Sequence, residues 1–339
     1  MVRSGSFGSA VALALAVIAL AGCGQGPPGK SNGKPLLHPD ATQLFVGYSN
    51  QSNLDTLLET WGKVTCERII AAGGKCVQTA AQLDITKQIS DIEDLIAEGV
   101  DVLVINPVDA EGIVPAVRDA NRRGIPVFTI DATTKGADVV TAVHVDNASA
   151  GYGAAKYCAE HETPQPGEKF VEVAELEGTA GHGNTINRHL GWERGIKEFP
   201  QLKNVFDQYT AWASDKAQAA TQDMLTSHPN VKCIWAHSDA IILGAVRALK
   251  AAGRTDIITV GMGMYGGGPE AIAAGDLTAS WFMEPVKTAE ATAAAVIEYW
   301  THGKSVKDIS IPMTFVTKDN VAQYLPAPRV ATQFFPQKR

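Results

Sequence analysis

Short apolar runs alternate with amphipathic stretches along most of this chain. Leu44-Phe45-Val46-Gly47-Tyr48 reads as an apolar strand, and Leu54 to Ala72 follows as a helix stopped by Gly73-Gly74. Cys76-Val77-Gln78 is a short strand. Ile85, Ile89, Ile92, Leu95 and Ile96 recur at the spacing of one helix face, and Gly99 ends that helix. Val102-Leu103-Val104-Ile105 is a continuous apolar run of the kind buried on both faces. A helix over Ala110 to Arg123 stops at Gly124, and Pro126 to Ile130 is the fourth strand. The rhythm resumes after Asp146: helices over 148–161, 185–199, 215–227 and 239–252 alternate with strands over 170–175, 204–209, 232–236 and 256–260. Segment 277–317 reads as a strand, a long helix (286–301) and a final strand.

Strands separated by single helices make right-handed crossovers and a parallel sheet. The expected fold class is therefore α/β, with two similar lobes, each a parallel sheet flanked by helices, joined by several crossings. Residues 41–145 with 284–311 make the N-terminal lobe, and 146–283 with 312–325 the C-terminal lobe. The crossings fall near Asp146, Met283 and Ile311. Ligands of open parallel sheets bind beyond the carboxyl ends of the strands, so the lobes should enclose a cleft and close on it by hinge bending.

The ends add a compartment. Arg3 precedes an unbroken apolar run, Ala10 to Ala21, which is too short to span a bilayer and reads as the core of a signal peptide, residues 1–22. The run closes on Leu20-Ala21-Gly22-Cys23, which resembles the bacterial lipobox, with Cys23 the lipidated residue. Residues 23–40, rich in Gly, Pro, Ser, Asn and Lys, read as a flexible tether, and the proline-bearing tail 326–339 is expected to wrap the surface. The expectation is an exported lipoprotein, periplasmic or on the outer cell surface, touching the membrane only through its anchor. The 339 residues carry a net charge of −7 with no basic stripe, which argues against nucleic acid as a partner.

Four cysteines follow Cys23, with no CxxC pair and no zinc spacing, so no metal site is expected. The chain reverses between the helix carrying Cys66 and the strand carrying Cys76, which brings the two within bonding reach, and Cys158 and Cys233 can pair within the second lobe. Free buried cysteines are the alternative.

Polar groups gather at the strand ends. Asn53 and Asp55 follow the first strand and Asp131 the fourth. His182, Asn184 and Arg188 follow strand 170–175, and Trp212 follows 204–209. Ser238 and Asp239 follow 232–236, Met262-Gly263-Met264-Tyr265 follows 256–260, and Met283 ends the next strand. A carboxylate accepts bonds from neighbouring hydroxyls, a guanidinium donates a fork of them, and an indole covers the apolar face of a sugar ring. Asp55, Asp131 and Asp239 each also stand where a helix N-cap would.

From Leu44 to about Thr317 the chain resembles the ribose/galactose-type periplasmic binding proteins of ABC sugar transporters. The most specific pieces are Val104-Ile105-Asn106-Pro107-Val108-Asp109 with Ile130-Asp131, Glu175 to Gly181, and Ala236-His237-Ser238-Asp239. The resemblance implies the type I periplasmic binding protein fold, no catalytic residue, no cofactor, a monomer and an ABC permease as partner. It also implies ligand contacts from Asn53, Asp55, Asp131, Arg188 and the stacking aromatic Trp212. His182, Asn184 and Arg188 follow the His-x-Asp-x-x-x-Arg pattern of galactose-binding relatives, with Asn184 in place of Asp. Gly263 stands where the family has a carboxylate, Met283 where it has Asn or Gln, Ser238 for a common Asn and Ala132 for an Arg. The ligand expected is a neutral, hydroxylated, sugar-like molecule other than ribose or glucose, and no calcium loop is recognisable.

Enzyme readings lack their residues. Gly178-x-x-x-x-Gly183-Asn184-Thr185 has Asn where a phosphate loop needs Lys, and no GxGxxG follows the first strand. A transcription regulator on this core would need a helix-turn-helix before the first strand. The alternative that stays open is a sensor that presents a sugar-like signal, such as an autoinducer-type furanose, to a membrane receptor.

Overall fold

The computed structural model describes residues 37–54, 56–134 and 136–325. The signal peptide, Cys23, the tether as far as residue 36, Asp55 and the tail from residue 326 lie outside the described residues. In chain order the first lobe carries β1 (Phe45–Asn50), α1 (Thr56–Ala71), β2 (Lys75–Ala80), α2 (Ile85–Ala97), β3 (Val102–Ile105), α3 (Val114–Arg122), β4 (Val127–Ile130) and β5 (Thr141–Val145). The second carries α4 (Asn147–His161), β6 (Val171–Glu177), α5 (Gly183–Glu198), β7 (Leu202–Tyr209), α6 (Ser214–Ser227), β8 (Cys233–Ala236), α7 (Asp239–Ala251), β9 (Ile258–Gly263), α8 (Gly268–Ala274) and β10 (Ala279–Phe282). The chain returns to the first lobe for α9 (Pro285–His302) and β11 (Asp308–Ile311), then crosses again for β12 (Thr314–Thr317).

The two six-stranded sheets repeat one order, β2-β1-β3-β4-β5-β11 and β7-β6-β8-β9-β10-β12. All neighbours pair parallel except β10 and β12. Helices cover both faces, so the central strands β3, β4 and β8 are buried at every position, which is why they read as unbroken apolar runs. The polar punctuation works locally: Asp84 caps α2 through the amides of Thr86 and Lys87, and Asp109 holds a turn through those of Glu111 and Gly112. That turn delays α3 to Val114 rather than Ala110.

Three features depart from the pattern reading. β5 and the seven-residue α8 are additional elements, the latter hidden among glycines. The single final strand is two, one for each sheet, because the chain passes between lobes at Pro312-Met313. The other passages lie at Asp146, whose carboxylate caps α4 through Ser149, and at Met283-Glu284, where Glu284 takes a left-handed φ of 47°. α4 and α5 pack closely enough that a Cβ on Gly191 would lie 1.9 Å from the carbonyl of Ala148. That approach fixes the helix bearing Arg188 against the one that starts at the passage.

Each lobe carries one disulfide. Cys66 of α1 is bonded to Cys76 of β2 with Cα atoms 5.3 Å apart, and Cys158 of α4 to Cys233 of β8 with Cα atoms 6.0 Å apart.

Candidate functional site

A cavity of about 400 Å³ lies between the lobes at the carboxyl ends of β1, β4, β6, β7, β8 and β9. The backbone around it is unusual. Leu83, Asp131, Ala211 and Trp212 all adopt positive φ, between 52° and 66°. Non-glycine residues seldom do so, and each such residue costs on the order of 1 kcal/mol. Here the conformation turns side chains from a strand end into the cleft instead of continuing the loop.

A polar chain crosses the cavity. Asn184 Nδ2 donates to Asp131 Oδ2 at 2.7 Å, Asn147 Nδ2 donates to Asn184 Oδ1 at 3.1 Å, and Arg188 Nε donates to Asn147 Oδ1 at 2.7 Å. Arg188 Nη1 also donates to the carbonyl of His237. All four side chains are buried, Arg188 at 4 % exposure, and burial lowers the guanidinium from its ordinary value. Asp131 and Arg188 face the same space with opposite charges, so the cavity suits a neutral ligand.

A second bridge lies beside the first. His182 is the N-cap of α5, its Nδ1 accepting from the amide of Asn184. The neutral ring therefore carries its proton on Nε2, which donates to Gln51 Oε1 at 3.2 Å across the cleft. Burial pushes this imidazole down to about 4, with the nearby Arg188 charge as the second cause. Gln51 passes the chain on to Asn106 at 3.4 Å.

Trp212 completes this side. His182 meets its ring edge to face at 5.2 Å, and the Arg188 guanidinium lies 5.7 Å from its centroid. A Cβ on Gly178 would lie 2.2 Å from the indole, so glycine there makes room for it.

The opposite wall is apolar: Leu57, Leu58, Trp61, Met262 and Met283 line it, with Leu54 and Leu83 at the rim. The expected loss of a carboxylate at Gly263 has a structural counterpart. The ring of Tyr265 lies 2.2 Å from where a Cβ on Gly263 would be, so the aromatic fills that volume.

Of the expected contacts, Asp131, His182, Asn184, Arg188, Trp212, Ser238 and Met283 line the cavity. Asn53, Asp239 and Met264 do not, and their readings are corrected. Asn53 is exposed, with Oδ1 accepting from Gln82 Nε2 at 2.8 Å, while Gln51 and Ser52 face inward. Asp239 is fully buried behind the wall. It accepts from Ser280 Oγ at 2.6 Å and the Tyr265 amide at 3.1 Å, and burial pushes it up to about 6. It orders the Tyr265 loop, and Ser238, not Asp239, caps α7. Met264 packs in the core of the second lobe. Gln51, Trp61, Met262 and the leucines were missed. Leu57, Leu58 and Trp61 read as the core face of an amphipathic helix, and nothing in their spacing distinguishes a pocket wall from a core.

Residues 48–305 match the family model for the periplasmic binding protein domain. The ribose import binding protein of Bacillus subtilis is 31% identical over 312 residues, covering 91% of this chain and 98% of that protein. The xylitol-binding protein of Mycolicibacterium smegmatis is 30% identical over 248 residues, covering 72% and 69%. Among solved structures, an ABC transporter solute-binding protein from Mycobacterium smegmatis with bound glycerol superposes with a TM-score of 0.76 at 27% identity, covering 85% of this chain and 99% of that one. One from Bacillus halodurans with bound myo-inositol gives 0.76 at 26% identity, with the same coverage. With this fold and an interlobe cavity at the strand ends, the chain belongs to the ribose/galactose-type periplasmic binding proteins, a family that binds solutes without transforming them.

Proposed function

We propose that this protein is the solute receptor of an ABC importer and that it captures a neutral, polyhydroxylated ligand of about monosaccharide size between its lobes. The carrying observation is the Asp131–Asn184–Asn147–Arg188 chain, which joins side chains of both lobes at the cavity. A polyol can bond the carboxylate and the guanidinium together, adding to the bonds each already makes, at about 0.5–1.5 kcal/mol net per bond and more where a charged group takes part. The relatives that import ribose or bind xylitol, and the neighbours holding glycerol and myo-inositol, support the same class of ligand.

The apolar wall narrows the class. With Tyr265 filling the place of a side chain at 263 and Met283 beside the cavity, a hydroxyl on that edge loses the carboxylate and the amide expected there. The ligand presents hydroxyls to Asp131 and Arg188 and a deoxygenated or methylated edge to the leucines and methionines, so ribose and glucose are not its preferred occupants. Cys23, diacylated after cleavage of residues 1–22, tethers the mature monomer to a membrane surface, from which it delivers ligand to its permease.

A thermal-shift screen of pentoses, hexoses, polyols, deoxy and methylated sugars tests the reading, because a ligand bound to the native state raises the melting temperature by mass action. Deoxy or methylated sugars or polyols should give the largest shifts. A preference for ribose or glucose would overturn the narrowed class, and binding of amino acids or peptides alone would overturn the sugar-like one.

A further inference from the structure

We propose a divalent transition-metal site on the C-terminal lobe, formed by Glu175 and Glu177 of β6 and His189 of α5. The three offer ligand atoms that all lie within 4.8 Å of one another, and none of the three lines the sugar cavity. Sequence spacing conceals the set. The carboxylates stand two positions apart, on one face of a strand, and the imidazole arrives from the helix packed on that face.

An unanswered group points to a ligand. Glu177 is only 4 % exposed, yet among the described residues no hydrogen bond reaches its carboxylate. Its charged neighbours include Glu175 and His189, the other two members of the set. Glu175, by contrast, is already oriented. One oxygen accepts from His237 Nε2 at 2.8 Å, and the other lies 2.7 Å from His189 Nδ1. A carboxylate fixed by a buried histidine behind it is how proteins commonly aim a metal ligand. Glu193, 3.8 Å from the far side of the His189 ring, and the exposed Asp207 on β7 add negative potential around the cluster.

The donor set selects the metal. One imidazole and two carboxylates suit zinc-like first-row ions, which accept three protein ligands and complete the sphere with water. Calcium and magnesium prefer all-oxygen sets, so they are poor competitors. His189 keeps 34% of its side chain exposed, which opens a path from solvent.

The test uses the purified protein stripped with a chelator. Titration with zinc chloride, followed by calorimetry, should give one site per chain, and cobalt chloride should give a visible absorption band from the protein-bound ion. Both signals should weaken at least tenfold in E177Q and in H189A, while circular dichroism confirms their fold. E177Q keeps the side-chain shape and decides the matter if H189A does not fold. Absence of a zinc site, a site retained in E177Q, or a response to calcium and magnesium equal to that with zinc overturns the proposal.

Discussion

The side-chain Nδ2 of Asn184 donates to the carboxylate of Asp131 at 2.7 Å, and the two residues belong to opposite lobes. Asp131 follows β4 and Asn184 opens α5, so this bond spans the space into which a ligand must fit. A ligand that satisfies both side chains inherits a site whose polar groups are already aligned, with less ordering left to do on binding.

Asp131→Ala should therefore remove ligand binding almost entirely while leaving the fold intact. Losing the carboxylate leaves ligand hydroxyls unanswered, at about 1–3 kcal/mol each, or tenfold or more in affinity per bond. Calorimetry with the ligand found by thermal shift measures it, and affinity within threefold of the wild type would show that the ligand sits elsewhere.

Stability should fall in mildly acidic solution because of His182. Its folded value of about 4 lies below the ordinary 6.5, so the neutral ring stabilises the folded state fully above pH 6.5. That contribution disappears as pH drops toward 4, where the unfolded chain takes up the proton first. Protonation of Nδ1 would also break the cap bond from the Asn184 amide. His182→Asn retains a capping acceptor but does not titrate, so its melting temperature should decline less between pH 6.5 and pH 4 than that of the wild type. Parallel curves would contradict this assignment.

The disulfides should contribute unequally. Cys66–Cys76 closes a separation of 10 residues and Cys158–Cys233 one of 75. In the chain-entropy model the shorter is worth about 3 kcal/mol and the longer about 4 kcal/mol. Urea unfolding of the paired alanine variants should show the larger loss for Cys158/Cys233, and equal losses would point away from loop entropy as the source.

Gly263→Asp, which supplies the carboxylate that the family resemblance led us to expect, should not create a sugar contact. Its backbone φ is 127°, and the new Cβ would meet the Tyr265 ring. The variant should melt several degrees lower and bind the ligand more weakly. Improved binding of ribose without loss of stability would mean that the tyrosine yields.

Trp212→Ala should weaken binding about tenfold or more and Trp212→Phe much less, since the role assigned to this side chain is a flat apolar face rather than a hydrogen bond. Equal affinities of the two variants, measured by calorimetry, would remove Trp212 from the site.

Most of the strand and helix order was legible from the chain alone, because the periods of 2 and 3.6 residues are set by backbone geometry within a few residues. The apolar runs at Val102–Ile105 and Cys233–Ala236 announced central strands. Asp131, Asn184, Arg188 and Trp212, read at strand ends, line the cavity. Two elements escaped: β5, whose apolar run is broken by Thr141 and His144, and α8, seven residues set among glycines. Which side chain of a strand-end loop faces the cavity was decided only by tertiary contacts. Gln82, from the turn after β2, draws Asn53 outward, while Ser280 and the Tyr265 amide claim Asp239 for the core. The ring of Tyr265 fills the volume left by Gly263, two residues before it, and Glu175, Glu177 and His189 converge because α5 packs on β6. In irregular loops no local repeat fixes side-chain direction. Partners distant in sequence do, and they exist only once the two sheets have formed.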